Sequence, residues 1–215
     1  MVRIDSEKSA LLLVDIQPDF MPGGALAVGG GDGIIEPVCR LMGSGGFRAM
    51  LATQDWHPVG HVSFASSHPG SRPFDVIDLY GRAQTLWPDH CVQGTSGAEI
   101  HRDIPTNALG AVIRKGTNPL CDSYSGFRNN WNSRGERKAT GLGGYLKELG
   151  ISDLFLCGLA RDFCVKWSAQ DAAEAGFNTW FIWDLTRPVD PASDESVRRD
   201  LLQHGVRIIG SDQLK

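Results

Sequence analysis

An apolar run leads directly into a stretch with helical character in the segment Leu154-Phe155-Leu156-Cys157-Gly158-Leu159-Ala160-Arg161-Asp162-Phe163-Cys164-Val165. The apolar residues are continuous rather than alternating, which is typical of a strand buried on both faces of a parallel sheet. The elbow between such a strand and the following helix normally opens toward a cleft at the carboxyl edge of the sheet. This segment therefore predicts an α/β fold with a functional site close to Cys164.

Five further apolar runs have the length and composition of strands, and helical patterns lie between them. Together with 154–157, the predicted strands cover 10–14, 48–53, 111–114, 179–183 and 206–209, and the predicted helices cover about 33–42, 139–149, 162–175 and 191–203. Alternation of strand and helix predicts a doubly wound α/β fold. We expect a mainly parallel six-stranded sheet with helices on both faces, a three-layer arrangement like that of Rossmann folds.

Short acidic side chains precede three of the predicted helices. Asp32, Asp162 and Asp190 could each accept hydrogen bonds from the free N–H groups at a helix start. We therefore expect a helix to begin at each of these residues.

Two long segments, 58–93 and 116–138, fit neither a strand nor a helix pattern. Both are rich in Gly, Pro, Ser and Asn, and long irregular insertions in a compact domain are usually functional. In the second segment, Trp131 and the basic residues Arg134, Arg137 and Lys138 could form a lid or an interface. An exposed, solvated loop is the favoured interpretation.

Size and charge favour a single globular domain with a small-molecule partner. A chain of 215 residues, 41% of them hydrophobic, fits one domain spanning 1–215. Interspersed acids and bases give a formal charge of -4, which argues against nucleic acid or an anionic membrane as partner. Residues 1–9 lack the apolar region of a signal peptide, and the five cysteines suggest no disulfide framework. We expect a cytoplasmic protein.

Three chemically active side chains lie where predicted strands end, at the edge where parallel sheets bind ligands. These are Asp15, Lys115 and, after the elbow, Cys164. A carboxylate can remove a thiol proton, and an ammonium favours the thiolate. A helix start also stabilises a negative sulfur, so we expect the pKa of Cys164 to fall below the ordinary value of about 8.5. A buried structural thiol is the alternative, and it suits Cys157 better.

A second group of residues has the chemistry of a metal site. Asp55 and His57 are two residues apart at a strand end, so they face the same side of an extended chain, and His90 lies in an irregular loop. One carboxylate and two imidazoles leave open positions on a divalent ion such as Zn, Mn or Fe. His61 is an additional candidate. The remaining histidines are expected to be hydrogen-bonded loop residues: His68, His101 and His204.

Several spaced motifs resemble the nicotinamidase/pyrazinamidase branch of the isochorismatase-like hydrolases, from the first strand to the last. They are Asp15-Ile16-Gln17-Pro18-Asp19-Phe20, Gly23-Gly24-Ala25-Leu26, Asp55-Trp56-His57-Pro58, Trp87-Pro88-Asp89-His90-Cys91, Lys115-Gly116, Tyr124-Ser125-Gly126-Phe127 and the elbow around Cys164. The sequence departs from the pattern at Pro18, where many relatives carry Asn. The segment 117–123 also varies among relatives, and it bears on substrate preference.

The resemblance implies hydrolysis of nicotinamide to nicotinate and ammonia through a thioester, a step of NAD salvage, with pyrazinamide as a further substrate. It implies a role for each site residue, with His61 binding metal only in some relatives. The implied catalytic triad is Asp15, Lys115 and Cys164, the oxyanion donors are the N–H groups of Ala160 and Cys164, the metal ligands are Asp55, His57 and His90, and the substrate-pocket rings are Phe20, Trp87 and Tyr124.

Other functions remain open from the sequence. A vinyl-ether hydrolase of the same fold would need neither Cys164 nor a metal, and a carbamoyl amidase would keep the triad without the metal. A catalytically idle binding protein would not need a complete triad. A thiol-redox role lacks a second cysteine near Cys164 in sequence, although Cys91 could approach in space. A homo-oligomer is possible.

Overall fold

Strands and helices alternate along the chain in the computed structural model, which describes residues 1–215. The strands β1 to β10 are Ser9–Val14, Ala49–Asp55, Val76–Leu79, Arg82–Thr85, Ala111–Lys115, Arg128–Trp131, Arg137–Ala139, Asp153–Leu159, Asn178–Arg187 and Arg207–Ile209. The helices α1 to α4 are Ile35–Gly43, Leu142–Glu148, Lys166–Glu174 and Asp194–Gln203. The six predicted strands and four predicted helices are all present, with differences only at their ends.

The main sheet has six strands in the order β10-β9-β8-β1-β2-β5, and every neighbouring pair is parallel. The prediction of a doubly wound fold is thereby confirmed, and the sheet is parallel throughout. Strand β1 is completely buried at its centre, and the strand order reverses beside it, between β8 and β2. Ligands of open α/β sheets bind at such a reversal, beyond the carboxyl ends of the strands.

Helices cover both faces of this sheet, as predicted. Leu11 and Leu13 of β1 belong to a buried cluster with Val38 of α1, whereas Leu12 belongs to the opposite cluster with Leu146 of α2. Helices α3 and α4 also contribute to that second cluster. None of the helices has the length and apolar character that crossing a bilayer requires.

Both segments expected to be irregular contain an antiparallel hairpin. Strand β3 pairs with β4, and β6 pairs with β7. Their strands are short and rich in charged and amide side chains, so hydrophobic alternation could not reveal them. Arg137 of β7 makes a two-bond ion pair with Asp171 of α3 at 2.7 and 2.8 Å, and it lies 5.0 Å from the ring centre of Trp131. The expectation of a solvated loop here is wrong, although Arg134 is exposed.

Only one of the three predicted helix starts is a cap. Asp190 accepts a hydrogen bond from the Ala192 N–H at 3.0 Å, as expected. Asp32 instead lies inside a 3-10 turn that Gly30 precedes. Asp162 accepts from the N–H groups of Val189 and Asp190, both at 2.9 Å, because that loop offers donors that no regular element uses.

Candidate active site

Cys164 lies in a π-turn, Arg161–Val165, between β8 and α3. The Val165 N–H donates to the Ala160 carbonyl at 3.0 Å, five residues back. The helix predicted from 162 therefore becomes regular α only at Lys166. The Leu159–Ala160 peptide bond just before the turn is cis. Single π-turns are rare and are found frequently at functional sites.

The three predicted catalytic side chains lie together at the carboxyl edge of the sheet. The Lys115 Nζ is 3.0 Å from Asp15 Oδ2 and 3.4 Å from Cys164 Sγ. A carboxylate oxygen of Asp15 lies within 4.8 Å of the sulfur. All three residues are buried. The carboxylate, the ammonium and the sulfur are therefore close enough to influence one another's charge.

Besides Asp15, three acceptors surround the Lys115 ammonium. Nζ donates to Asp55 Oδ1 at 3.0 Å, to the Ser123 carbonyl at 2.8 Å and to Cys164 Sγ at 3.4 Å. Asp15 Oδ2 lies 3.0 Å from Nζ as a fourth acceptor and has no other donor. Four acceptors share three protons and each carboxylate oxygen has two lone pairs, so Oδ2 keeps at least one lone pair free. A buried carboxylate oxygen in this state is suited to accept a proton.

Burial controls the protonation of the triad. It raises the pKa of Asp15 above its ordinary value, although the Lys115 ammonium opposes this. It also raises the pKa of the Cys164 thiol well above its ordinary value, with Lys115 again opposing and Asp15 reinforcing. The prediction of a lowered thiol pKa is wrong, because the buried sulfur faces carboxylates as well as the ammonium. Cys164 is a neutral thiol at rest and needs a base to react.

Lys115 remains an ammonium in this setting. Burial lowers its pKa, but the carboxylates of Asp15 and Asp55 raise it well above the ordinary value. The ammonium and the two acidic side chains thus share the same buried space.

Asp15 is held in an unusual backbone conformation by Thr53 of the neighbouring strand. Its φ is +47°, in the left-handed region, which Asp tolerates better than most residues. The Asp15 N–H donates to Thr53 Oγ1 at 3.2 Å, and the Thr53 hydroxyl donates to Asp15 Oδ1 at 2.6 Å. This pair of bonds fixes the carboxylate and leaves Oδ2 directed at the ammonium and the sulfur.

The predicted metal ligands also converge. Asp55 Oδ2 lies 3.2 Å from His57 Nε2 and 3.5 Å from His90 Nε2. The Nδ1 atoms of His57 and His90 contact the carbonyls of Gly116 at 3.0 Å and Pro88 at 2.8 Å. Carbonyls only accept, so each ring donates its Nδ1 proton to a carbonyl and turns Nε2 toward the carboxylate. Although burial opposes it, Asp55 raises the pKa of His57, so a proton can bridge these facing atoms, and a metal ion can take the same place. One carboxylate and two imidazoles held by backbone carbonyls are a donor set that fits a divalent metal ion.

His61 does not join this carboxylate. Its Nδ1 contacts the Ser63 hydroxyl at 2.7 Å, its ring lies 4.3 Å from that of His57, and it groups with His57 and Asp122. Burial and His57 lower the pKa of His61 to about 4, so its ring is neutral.

The other three histidines are hydrogen-bonded, as predicted, although His204 lies at the end of α4 rather than in a loop. His68 and His204 contact the carbonyls of Val62 and Asp200, each at 2.8 Å, and His101 accepts from the Asp103 N–H at 3.3 Å.

A small cavity with mostly hydrophobic walls lies above Cys164 and the metal-ligand group. Phe20, Trp87 and Tyr124 line it, as expected, and so does Phe163, whose ring centre lies 4.8 Å from that of Trp87 in an edge-to-face contact. Ala160 lines it too. The Ala160 N–H makes no hydrogen bond to a loop, turn or cap. The cavity suits a flat ring with a polar group directed at the elbow.

Comparison with known proteins identifies the family. Residues 9–213 match the isochorismatase domain model. The chain belongs to the isochorismatase family. One relative in this family, a nicotinamidase of Acinetobacter baylyi, is 46% identical over 205 residues, which cover 94% of this chain and 92% of that protein. The isochorismatase-like resemblance drawn from the sequence motifs is confirmed.

Solved structures of the isochorismatase family agree with the fold. An Acinetobacter baumannii nicotinamidase pyrazinamidase has a TM-score of 0.89 at 44% identity, with 96% of this chain and 97% of that chain covered. A Pyrococcus horikoshii pyrazinamidase, solved in complex with zinc, has a TM-score of 0.74 at 34% identity, with 94% and 99% covered.

The sequence motifs of the isochorismatase family missed residues that support the site. Gln17 lies in the first motif, but the resemblance assigns it no role. Its amide donates to the Asp55 carbonyl at 2.8 Å and accepts from the Asp55 N–H at 2.8 Å, so it fixes the backbone of that residue. Thr53 had a usable signal, a polar β-branched residue in a buried strand two positions before Asp55. The Ser123 carbonyl had none, because a backbone contact leaves no mark on residue type.

Proposed function

We propose that this isochorismatase-family protein hydrolyses nicotinamide to nicotinate and ammonia, with Cys164 as the nucleophile and pyrazinamide as a second substrate. The observation that carries the proposal is the buried group of Asp15, Lys115 and Cys164 beneath an aromatic cavity. The nicotinamidases among the chain's relatives support it. In a cell this reaction would return nicotinamide to NAD synthesis.

Acylation begins with proton transfer from the thiol to Asp15. The sulfur then attacks the carboxamide carbon, and the N–H groups of Ala160 and Cys164 stabilise the oxyanion, each contributing about 3 to 4 kcal/mol. Asp15 returns its proton to the leaving nitrogen as the C–N bond breaks. Ammonia departs, and the acyl group remains on Cys164 as a thioester. Lys115 stays charged and balances the negative charge that moves between sulfur and carboxylate.

Deacylation uses the same base in the same way. Asp15, ionised again, accepts a proton from a water molecule whose oxygen attacks the thioester carbon. The C–S bond breaks, the sulfur takes the proton back, and nicotinate leaves. The net change consumes one water per amide, and the enzyme returns to its starting state.

One divalent ion, Zn, Mn or Fe, is proposed as the cofactor. Asp55, His57 and His90 would hold it, with His61 outside this group of ligands. When bound, the ion supplies a Lewis acid for the ring nitrogen of the substrate. The zinc complex of the Pyrococcus horikoshii relative supports a metal here.

The aromatic walls orient the substrate and exclude water from it. Phe20, Trp87 and Tyr124 surround the cavity, and Tyr124 and Phe163 make a further edge-to-face contact at 5.4 Å between ring centres. A ring held between them presents its exocyclic carboxamide to Cys164. Holding the reacting atoms in this way can remove about 7 to 11 kcal/mol of barrier in favourable cases.

The test is ammonia release from nicotinamide and pyrazinamide by the purified protein and by the Cys164→Ala variant. The native protein should release one ammonia per nicotinate, and the variant should bind nicotinamide without turnover. An intact-mass increase matching a nicotinoyl group on Cys164 would identify the thioester. Ammonia release by the variant would exclude the covalent route.

A chelator separates this proposal from the carbamoyl amidase alternative. Removing the ion should lower nicotinamide turnover sharply, and adding Zn, Mn or Fe should restore it. A metal-independent carbamoyl amidase would be indifferent to both treatments. A vinyl-ether hydrolase or an idle binding protein would release no ammonia at all.

We also propose that residues 1–215 form a single hydrolase domain that acts in the cytoplasm on small heteroaromatic amides. No nucleic-acid or membrane partner is expected, and a homo-oligomer is possible. These points stay predictions.

A further inference from the structure

Arg161 is a buried charged residue that the proposed mechanism does not use. It follows Ala160 directly, opens the π-turn that carries Cys164, and is only 6% exposed. A buried guanidinium needs partners for five N–H donors, because each unpaired donor would lose its hydration without compensation.

All five donors of Arg161 have acceptors, and none of these belongs to the elbow itself. Nε donates to Thr186 Oγ1 at 2.9 Å, and Nη2 donates to the carbonyls of Thr186 at 2.8 Å and Trp183 at 3.2 Å. Nη1 donates to both carboxylate oxygens of Asp194 at 2.8 and 2.7 Å. One side chain thereby ties the elbow to the end of β9 and to the first residue of α4.

Aromatic stacking fixes the plane of this guanidinium. Its central carbon lies 4.1 Å from the ring centre of Trp183, and the guanidinium of Arg198 lies 3.6 Å from the same ring centre. Arg161 thus has both hydrogen bonds and a cation–π contact that restrict its orientation.

The neighbouring residue ties the elbow to a second wall of the cavity. Asp162 accepts from the N–H groups of Val189 and Asp190, and Val189 lines the cavity. Two consecutive side chains therefore hold the π-turn against three surrounding segments. The backbone between them and Cys164 has little freedom to shift.

We propose that Arg161 is a positioning residue, which holds the Ala160 N–H and the Cys164 sulfur in their reactive geometry. The inference rests on the proposed function of Cys164. Buried ion pairs contribute little net stability, whereas this network fixes the residue between the Ala160 N–H and the Cys164 turn, which favours a positioning role. A displacement of about 1 Å at a reacting group can lower a rate by about 10²-fold.

The test compares Arg161→Gln with a matched control, Arg137→Gln. Arg137 makes a similar two-bond pair with Asp171 and also lies over tryptophan rings, but it contacts no part of the elbow. We expect Arg161→Gln to lower kcat on nicotinamide by about 10²-fold with KM nearly unchanged. Arg161→Lys keeps the charge without the planar guanidinium, so its kcat should lie between those of the native protein and Arg161→Gln. Arg137→Gln should lower the melting temperature and leave kcat close to the native value.

A second measurement does not depend on nicotinamide turnover. The pH midpoint of Cys164 alkylation by iodoacetamide, followed by peptide mass spectrometry, reports the surroundings of the sulfur. Movement of the sulfur relative to Lys115 and the buried carboxylates should shift this midpoint in Arg161→Gln and not in Arg137→Gln. Failure of the proposed amidase reaction would leave this comparison valid.

A kcat and a midpoint for Arg161→Gln that match those of Arg137→Gln would overturn the proposal and leave Arg161 a structural residue. Should Arg161→Gln not fold, two milder variants replace it. Thr186→Val removes the hydroxyl that accepts from Nε, and Asp194→Asn removes the charge and one of the two oxygens that accept from Nη1. The positioning role then predicts a lower kcat at constant KM in both, and a native kcat in both would contradict it.

Discussion

Replacing Thr53 with Val should move the acid limb of the pH–rate profile to higher pH. The substitution keeps the side-chain shape and removes one hydroxyl. That hydroxyl donates to Asp15 Oδ1 at 2.6 Å, and its oxygen accepts from the Asp15 N–H at 3.2 Å. Since both groups are buried, no solvent replaces the lost donor.

The size of the effect follows from the charge on the acceptor. A hydrogen bond to a charged group is worth about 1.5 to 3 kcal/mol, and one pKa unit corresponds to about 1.36 kcal/mol. The hydroxyl stabilises the ionised carboxylate, so its removal adds to the burial effect that already raises the pKa of Asp15. The base is then protonated at higher pH, and the limb should rise by about 1 to 2 pH units. Below the limb, kcat/KM should fall about 10- to 100-fold, with a much smaller change on the plateau.

The assay is kcat/KM for ammonia release from nicotinamide, measured from acidic to neutral pH. The limb of kcat/KM reports the free enzyme, so substrate binding does not obscure it. Thr53→Ser keeps the hydroxyl and should keep the native limb. An unmoved limb in Thr53→Val, with activity otherwise intact, would refute the assignment of Asp15 as the base.

Three further substitutions test the site and the sheet. Gly116→Ala should weaken zinc binding, measured by competition with a chromophoric chelator. The new methyl would overlap the His57 ring, and the φ of +64° at residue 116 disfavours a side chain, so native affinity would contradict the expectation. Gly158→Ala should lower the free energy of unfolding, measured in urea, by at least about 1 to 3 kcal/mol, because its methyl would overlap the Val14 carbonyl in the adjacent strand. An unchanged urea midpoint would count against the pairing of Val14 with Gly158 between β1 and β8. Lys115→Met should abolish ammonia release. It should also lower the free energy of unfolding by about 3 to 5 kcal/mol, since it leaves the buried carboxylates of Asp15 and Asp55 without their cation. Retained turnover would exclude the proposed triad.

The sheet could be predicted because its strands are buried on both faces. Continuous apolar runs such as 10–14 and 154–157 have few other structural interpretations once helical patterns alternate with them. The hairpin strand Arg82–Thr85 could not be found this way, since its charged and amide residues form no apolar alternation. The predicted cap at Asp162 failed because the N–H groups of Val189 and Asp190 are available to it, and these tertiary donors outweigh the local preference. The predicted cap at Asp32 failed because that residue lies inside its 3-10 turn.

The position of the site was also predictable, whereas its electrostatics were not. Strand ends place Asp15, Lys115 and Asp55 at one edge, and the motifs added His90 from a distant loop. The lowered pKa expected for Cys164 came from a local rule about helix starts. Burial and the surrounding carboxylates reverse that rule, and neither can be read from the neighbouring residues alone.

The two oxygens of Asp55 serve different neighbours. Oδ1 accepts from the Lys115 ammonium, while Oδ2 faces the imidazoles of His57 and His90. The single negative charge of this carboxylate is therefore shared between the Lys115 ammonium and the two imidazoles. A stronger interaction at one oxygen draws negative charge away from the other and weakens the interaction there. We therefore expect a substitution at His90 to change the charge on Oδ1 and, through Lys115, the reactivity of the thiol.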